Sequence, residues 1–134
     1  MSSNFGLYSQ YAEKVEPQVR AALEGRRRIP QQTPLAEAWL ALALFLGESS
    51  LRLEHIIHIA DGISHAFPNS DEIAWALLRI RDRGWLVESN GEYGLTSEGR
   101  SAIARVIGEG EVLERLDRLM GWVSMNPPHG RVEC

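Results

Sequence analysis

Residues 69–100 constrain the fold of this chain more than any other stretch, because start and stop signals for consecutive elements follow one another there. Asn69, with Glu72 three residues later, has the pattern of a capping box at the start of a helix. Apolar residues then recur at helical spacing as far as Gly84, a residue type that commonly ends a helix. The pattern predicts a helix over residues 70–83.

A β-hairpin and a second helix are predicted directly after Gly84. Asn90-Gly91 is a favoured two-residue hairpin turn, and apolar residues flank it on both sides. This turn places Leu86 opposite Leu95, so the two leucines can fix the hairpin onto a core. A helix starts at Thr96 or Ser97 and extends to residue 107.

The remaining sequence is mostly helical in pattern. Thr33-Pro34 starts a helix whose only charged residue is Glu37, and a helix that is apolar nearly all round is expected to be buried nearly all round. Helices are predicted over residues 16–24, 34–46, 51–63, 70–83, 97–107 and 111–124. The segment before Pro17 forms either a short helix or turn, or one kinked helix with residues 16–24.

These elements predict a mainly α protein with a small β-hairpin. Three regions follow from their order: an N-terminal helical arm (1–33), a core (34–107), and a C-terminal helix with a loose tail (108–134). With 134 residues in all, we expect the regions to share one domain with a substantial core.

The charge balance of the chain is acidic. It has 14 Lys and Arg against 18 Asp and Glu, for a formal net charge of −4. A protein that binds duplex DNA needs a basic face to neutralise phosphates, so the positive charge would have to be concentrated. The densest positive charge is Arg26–Arg28, which is either a solvated linker face or an arm that contacts a phosphate backbone.

Cysteine content and hydropathy point to a cytoplasmic protein. The one cysteine, Cys134, has no partner for an internal disulfide and cannot form a four-ligand metal site alone. No basic-then-apolar leader opens the sequence. The longest uncharged run, residues 38–47, is far shorter than the roughly 20 residues of a membrane-spanning helix.

No catalytic site or cofactor is predicted. Serines lack a neighbouring histidine and carboxylate in a recognisable nucleophile setting, and no glycine-rich phosphate loop is present. His55 and His58 alternate with Glu54 and Asp61 on one face of the predicted helix 51–63, where they could bind zinc or another divalent metal. A solvated polar face explains the same pattern, so we predict no metal site.

Two segments carry a resemblance to a known fold. They are the leucine-rich run through Leu77, Arg83, Gly84 and Leu86, and the run Tyr93-Gly94-Leu95-Thr96-Ser97-Glu98-Gly99-Arg100. Over about residues 34–107 the chain resembles the winged helix-turn-helix domain of bacterial transcription regulators of the PadR and MarR type. In those families the first run is the recognition helix leading into the hairpin, or wing, and the second is the returning strand with the following helix.

The resemblance implies a DNA-binding transcription regulator. It would place residues 70–83 in the major groove, with arginines contacting phosphates or guanines. The residues expected to bind nucleic acid are Ser70, Arg79, Arg81 and Arg83, supplemented by Arg26, Arg27 and Arg28.

The same families are commonly homodimers joined by helices outside the winged core. The apolar stripe Leu116, Leu119, Met120 and Val123 in the last helix is a candidate partner surface, or it packs on its own domain. Trp75, centred on a polar helix face, is either covered by a neighbouring segment or an anchor for a partner.

An alternative function is a winged-helix protein–protein interaction module that has lost DNA binding. The face expected to read DNA carries Asp71, Glu72 and Asp82, and the hairpin carries Glu88 and Glu92 but no basic residue. Carboxylates at these places oppose phosphates. Winged helices also serve as protein-docking modules, so the fold is compatible with either function.

Overall fold

The computed structural model describes residues 3–47 and 49–128. The elements in chain order are α1 (Ser3–Leu23), α2 (Pro34–Gly47), β1 (Leu51–Arg52), α3 (Leu53–Ser64), α4 (Ser70–Asp82), β2 (Leu86–Ser89), β3 (Glu92–Leu95), α5 (Ser97–Ile107) and α6 (Val112–Met125). The predicted class, mainly α with a small β-hairpin, is confirmed. Cys134 and the greater part of the predicted tail lie outside the described residues.

The three strands form one antiparallel sheet in the order β1-β3-β2. Leu86 pairs with Leu95, as the two-residue turn predicts, and Asn90 and Gly91 both have positive φ, at 53° and 79°. Strand β1 was not predicted, since its two residues were assigned to the start of a helix. It pairs with the far edge of β3 through Leu51 and Tyr93.

Helix α2 lies at the centre of the fold. Every residue from Ala36 to Leu44 is buried, and α2 packs against α3, α4, α5 and α6 as well as β3. This arrangement confirms the burial expected of a helix with a single charge. The core also takes residues from α1 and α6, so the proposed arm, core and C-terminal helix share one hydrophobic cluster.

Helix α1 is continuous through Pro17, which settles the choice left open by the sequence. Proline removes one backbone hydrogen bond from a helix interior. Here the buried residues Ala12, Val15, Val19 and Ala22 keep helical spacing across it and pack on α3 and α4. Burial of this stripe explains why the helix continues past the proline.

The interpretation of the α6 stripe as a partner surface is corrected by its burial. Leu116, Leu119 and Val123 are 7%, 0% and 3% exposed within this chain, and Met120 is half-buried against the same core. They pack on α2 and α5. The stripe that suggested a homodimer is therefore occupied within the chain itself.

Among the described residues, no helix is long and apolar enough to cross a membrane.

Tyr93 provides a test of the sheet's packing. Its side chain is 1% exposed, and its hydroxyl has no hydrogen-bond partner among the described residues. Burial raises the pKa of Tyr93 above its ordinary value, and Glu88 adds to this increase while Arg20 opposes it. The phenol therefore ionises less readily in the native state than in the unfolded state. The free energy of unfolding is unaffected by this difference below a pH of about 10 and falls as the pH rises further.

We therefore expect Tyr93→Phe to change the free energy of unfolding by less than about 1 kcal/mol at neutral pH, because no protein partner loses a hydrogen bond. The variant should also lose less stability than the parent between pH 10 and 11, as measured by urea unfolding. A large loss at neutral pH would show that the hydroxyl makes a bond through water.

Candidate functional site

Glu37, a buried residue of α2, is the centre of an ion-pair cluster with two arginines from the C-terminal end of α4. Arg79 donates its Nε–H to Glu37 Oε1 at 2.8 Å, and Arg83 donates its Nε–H to Oε2 at 2.6 Å. The side chains of Glu37, Arg79 and Arg83 are 2%, 26% and 5% exposed. Two of the six arginines predicted to contact DNA are thus bound by one buried carboxylate. Arg83 in this conformation has no surface to offer a phosphate, which corrects its predicted role.

Sequence reasoning noted Glu37 as the only charge of its helix but gave it no role. Its partners lie 42 and 46 residues further along the chain, so no local spacing connects them. The signal was its residue type. A carboxylate in a helix that is otherwise apolar and buried needs a cationic partner from another element.

Four arginine side chains donate hydrogen bonds to backbone carbonyls at the C-terminal ends of four different helices. Arg81 donates to Leu23 O at the end of α1, and Arg100 to Phe45 O near the end of α2. Arg118 donates to Ile107 O at the end of α5, and Arg83 Nη1 donates to Asn126 O after α6 at 2.6 Å. Cations at helix C-termini satisfy open carbonyls and complement the helix dipole. Much of the chain's positive charge is therefore used internally.

Three of the other five residues predicted to bind nucleic acid, Arg26, Arg27 and Arg81, already bond to groups within the chain. Arg26 bonds Glu24, and Arg27 pairs with Asp71 at 2.5 Å near the start of α4. Arg28 is exposed in the following loop, and Ser70 is half-buried in the first turn of α4. Their contact with nucleic acid stays a prediction.

A groove lies beside the ion-pair cluster, between the end of α4, the start of α5 and the end of α6. We call it the tryptophan groove. Its volume is about 510 Å³, and its walls include Asp82, Arg83, Trp85, Glu98, Trp122 and Met125, with residues 126–128 closing one side. A volume of this size falls within the roughly 300–1,000 Å³ range of ligand-binding pockets.

Two indole rings and one guanidinium organise the wall of the tryptophan groove. Trp85 and Trp122 stack with ring centroids 5.8 Å apart and an angle of 23° between their planes. The Arg83 guanidinium lies 5.3 Å and 5.1 Å from their centroids, within cation–π distance of both. Trp85 is buried, whereas Trp122 is half-buried and Met125 is 80% exposed. The groove therefore has an accessible apolar surface.

Sequence reasoning did not find the tryptophan groove. Trp85 was assigned to a strand, and Trp122 was not part of the stripe recognised in the last helix. Gly99 was the available signal, because a Cβ on it would lie 2.6 Å from Trp85 Cβ. A glycine inside a helix often marks such close packing, but the sequence does not show against what.

Trp75 lines a second, smaller cavity of about 160 Å³, together with Gln32, Arg79 and Val123. Its side chain is half-buried, and the Arg79 guanidinium lies 5.1 Å from its ring centroid. Residues of α6 line the same cavity. The ring is therefore partly covered by its neighbours, and its role as an anchor for a partner stays a prediction.

The polar face of α3 does not assemble a metal site among the described residues. Asp61 accepts a hydrogen bond from the Tyr8 hydroxyl at 2.7 Å, and Glu54 lies 3.4 Å from Arg52. The His58 ring contacts Tyr8 at a centroid distance of 4.7 Å. These contacts tie the face to α1 and β1.

Comparisons of the chain with protein-family models, with curated proteins and with solved structures find no match. What the site binds is therefore inferred from its own charges, rings and cavity.

Proposed function

We propose that residues 34–107 form a winged helix-turn-helix unit which, together with α6, binds another protein rather than duplex DNA. The order of α2, α3 and α4, followed by the β2–β3 hairpin and α5, supports the winged unit. In such a unit α4 occupies the place of the recognition helix. The resemblance to PadR- and MarR-type regulators is thus a proposal about the fold, separate from what the surface binds.

The observation that carries the proposal is the engagement by Glu37 of two arginines, Arg79 in the last turn of α4 and Arg83 directly after the helix. Duplex DNA is bound chiefly by cations that neutralise phosphates. At the C-terminal end of α4, Arg79 and the following Arg83 already share a buried carboxylate. At the start of the helix, the Glu72 carboxylate accepts a hydrogen bond from the Asn69 backbone N–H, and Asp71 pairs with Arg27. The charge that the recognition face would offer to DNA is largely neutralised.

The hairpin and the tryptophan groove favour a protein partner. The β2–β3 hairpin has Glu88 and Glu92 and no basic residue, so it repels a phosphate backbone. The groove instead combines the accessible indole of Trp122 with the exposed side chain of Met125. Tryptophan and methionine are enriched in the buried centres of protein interfaces.

A DNA-binding transcription regulator is the second candidate, favoured by exposed Arg28 beside Arg26, whose side chain is 62% exposed. Selection from a pool of random-sequence duplexes, followed by fluorescence anisotropy with the most enriched duplex, separates the two, because a regulator binds its own site far more tightly than random DNA. We expect no binding tighter than the ~10⁻⁴–10⁻⁶ M typical of non-specific contacts at physiological salt. Tight binding with a steep salt dependence, weakened by Arg79→Ala or Arg28→Ala, would establish the regulator instead.

The protein partner is tested by site-specific photo-crosslinking in the cells that produce the chain. A photoreactive residue at Met125, on the rim of the groove, should give a discrete adduct that survives nuclease treatment and disappears when Trp122→Ala is added. The matched control position is Leu113, which is 60% exposed on the same helix but does not line the groove. Equal adducts from both positions, or none from either, would refute the proposed function.

A further inference from the structure

Strand β2 is an edge of the three-stranded sheet, whose order is β1-β3-β2. It packs mainly against β3 and the preceding helix α4. Val87 is 43% exposed, and the next two residues, Glu88 and Ser89, are exposed as well. An uncovered strand edge presents backbone N–H and C=O groups to which an extended segment of another chain can pair.

The hydrogen bonds of the sheet fix which backbone groups face the open edge of β2. Thr96 donates its N–H to Trp85 O at 2.8 Å, directly beside the paired residues of β2 and β3. Hydrogen-bonded and non-bonded pairs alternate along an antiparallel ladder. Val87 therefore bonds to β3, whereas Leu86 and Glu88 direct their N–H and C=O groups outwards. Within the described part of the chain, no group bonds to these four outward groups.

The charge at this edge favours a basic partner. Glu88 is exposed and forms no ion pair with any described residue. Tyr93 lies opposite it on β3, and Arg20, which lies beside the hairpin turn, is already paired with Glu16 at 2.9 Å. Neither β2 nor β3 contains a basic residue. A lysine or arginine placed opposite Glu88 would form an opposite-charge cross-strand pair, which stabilises a sheet.

The other side chains of β2 define the rest of the preferred sequence. Leu86 and Glu88 lie on one face of the sheet, and Val87 lies on the other. Leu86 is half-buried and Val87 is exposed, so both offer apolar surface to a neighbouring strand. An antiparallel strand fits best with a basic residue opposite Glu88, then a β-branched residue opposite Val87, then an apolar residue opposite Leu86.

We propose that the open edge of β2 binds an extended segment of a partner protein with the sequence pattern basic, β-branched, apolar. The segment pairs antiparallel to β2 and bonds to the outward backbone groups of Leu86 and Glu88. A second copy of this chain fits less well, because its own β2 supplies no cation for Glu88. This proposal rests on the proposed function, since it names the chemistry and the conformation of the protein segment that the module binds.

The test uses the full, isotope-labelled chain and a five-residue peptide with lysine, valine and isoleucine, in that order, between two threonines. In the free chain, the amides of Leu86 and Glu88 should exchange with solvent faster than that of Val87. The peptide should shift the NMR resonances of these two amides and slow their exchange. A peptide with glutamate in place of lysine should bind about three- to fivefold more weakly at low salt.

N-methylated peptides test the strand pairing separately from the charge. A methyl group on the isoleucine nitrogen removes the N–H that bonds to Leu86 O, and should weaken binding about three- to tenfold. A methyl group on the valine nitrogen is the matched control. That N–H points away from β2 in the proposed pairing, so its loss should leave the affinity nearly unchanged.

Two charge reversals on the hairpin test the role of Glu88. Glu88→Lys should reverse the preference, so that the glutamate peptide binds more tightly than the lysine peptide. Glu92→Lys makes the same change of charge on the opposite face of the sheet, and should keep the preference for lysine. Thermal melts establish that both variants remain folded.

Equal weakening by the two N-methylated peptides, or an unchanged preference in Glu88→Lys, would overturn the strand assignment. Dimerisation that protects the same amides without peptide would assign the edge to a second copy instead. If the adduct at Met125 forms while the lysine peptide does not bind, the module has a protein partner of other chemistry. If neither the adduct nor the peptide complex forms, the proposed function itself is wrong.

Discussion

Glu37→Leu is expected to lower the free energy of unfolding by about 3–5 kcal/mol. The substitution removes the carboxylate that accepts from both Arg79 and Arg83, and the side chain of Arg83 is 5% exposed. Arg83 would then hold an uncompensated charge beneath Trp85 and Trp122. Urea unfolding followed by circular dichroism measures the change, and its slope shows whether the transition stays cooperative.

A double variant identifies the cause of that loss. Glu37→Leu with Arg83→Leu removes both buried charges, and apolar replacement of a buried pair is often close to neutral. It should recover more than half of the stability that Glu37→Leu loses. Glu88→Gln, an exposed carboxylate on the hairpin, should change stability by less than about 0.5 kcal/mol. If the double variant were less stable than the single one, Arg83 would contribute mainly through packing.

Gly99→Ala is the second substitution with a large expected effect, about 1–3 kcal/mol of destabilisation. A Cβ at Gly99 would lie 2.6 Å from Trp85 Cβ, 2.8 Å from its Cγ and 3.2 Å from its Cα. Because one of these atoms belongs to the backbone, rotation of the side chain cannot relieve the overlap. Helix α5 and the chain at Trp85 would therefore have to move apart.

Gly121→Ala in α6 is the matched control. Among the described residues, no atom outside its own stretch of helix lies within 4 Å of a Cβ placed there, so the added methyl group makes no close contact with them. Alanine favours a helix interior over glycine by up to about 1 kcal/mol, and the variant should gain stability. Thermal unfolding of the two variants should therefore move in opposite directions. A stabilised Gly99→Ala protein would contradict the contact between α5 and Trp85.

Local signals in the sequence predicted a large part of the fold. The capping box at Asn69 and Glu72 is present with both of its hydrogen bonds, and α5 runs over the predicted residues. The Asn90-Gly91 turn and the pairing of Leu86 with Leu95 are confirmed. These features depend on residues close together in sequence, where backbone preferences and hydrogen bonds decide the structure.

Features that depend on distant residues could not be predicted in this way. Strand β1 forms because Leu51 pairs with Tyr93, more than 40 residues away. A strand of two residues is too short to show an alternating apolar pattern in the sequence. The tryptophan groove requires α4, α5 and α6 to meet. The arginines were identified correctly as the main cations, but the carbonyls and carboxylates that bind them are set by tertiary packing. The charged residues counted in a sequence are therefore a poor guide to the charge that the folded surface offers to a ligand.

The central position of α2 has a consequence for synthesis of the chain. During translation α2 leaves the ribosome before α3, α4, α5 and α6, the elements that cover most of its apolar surface. At typical elongation rates of about 5–20 residues per second, the nascent chain exposes this helix for several seconds before α6 is complete. We expect α2 to be the main site at which a chaperone contacts the nascent chain, and release to follow the emergence of α6.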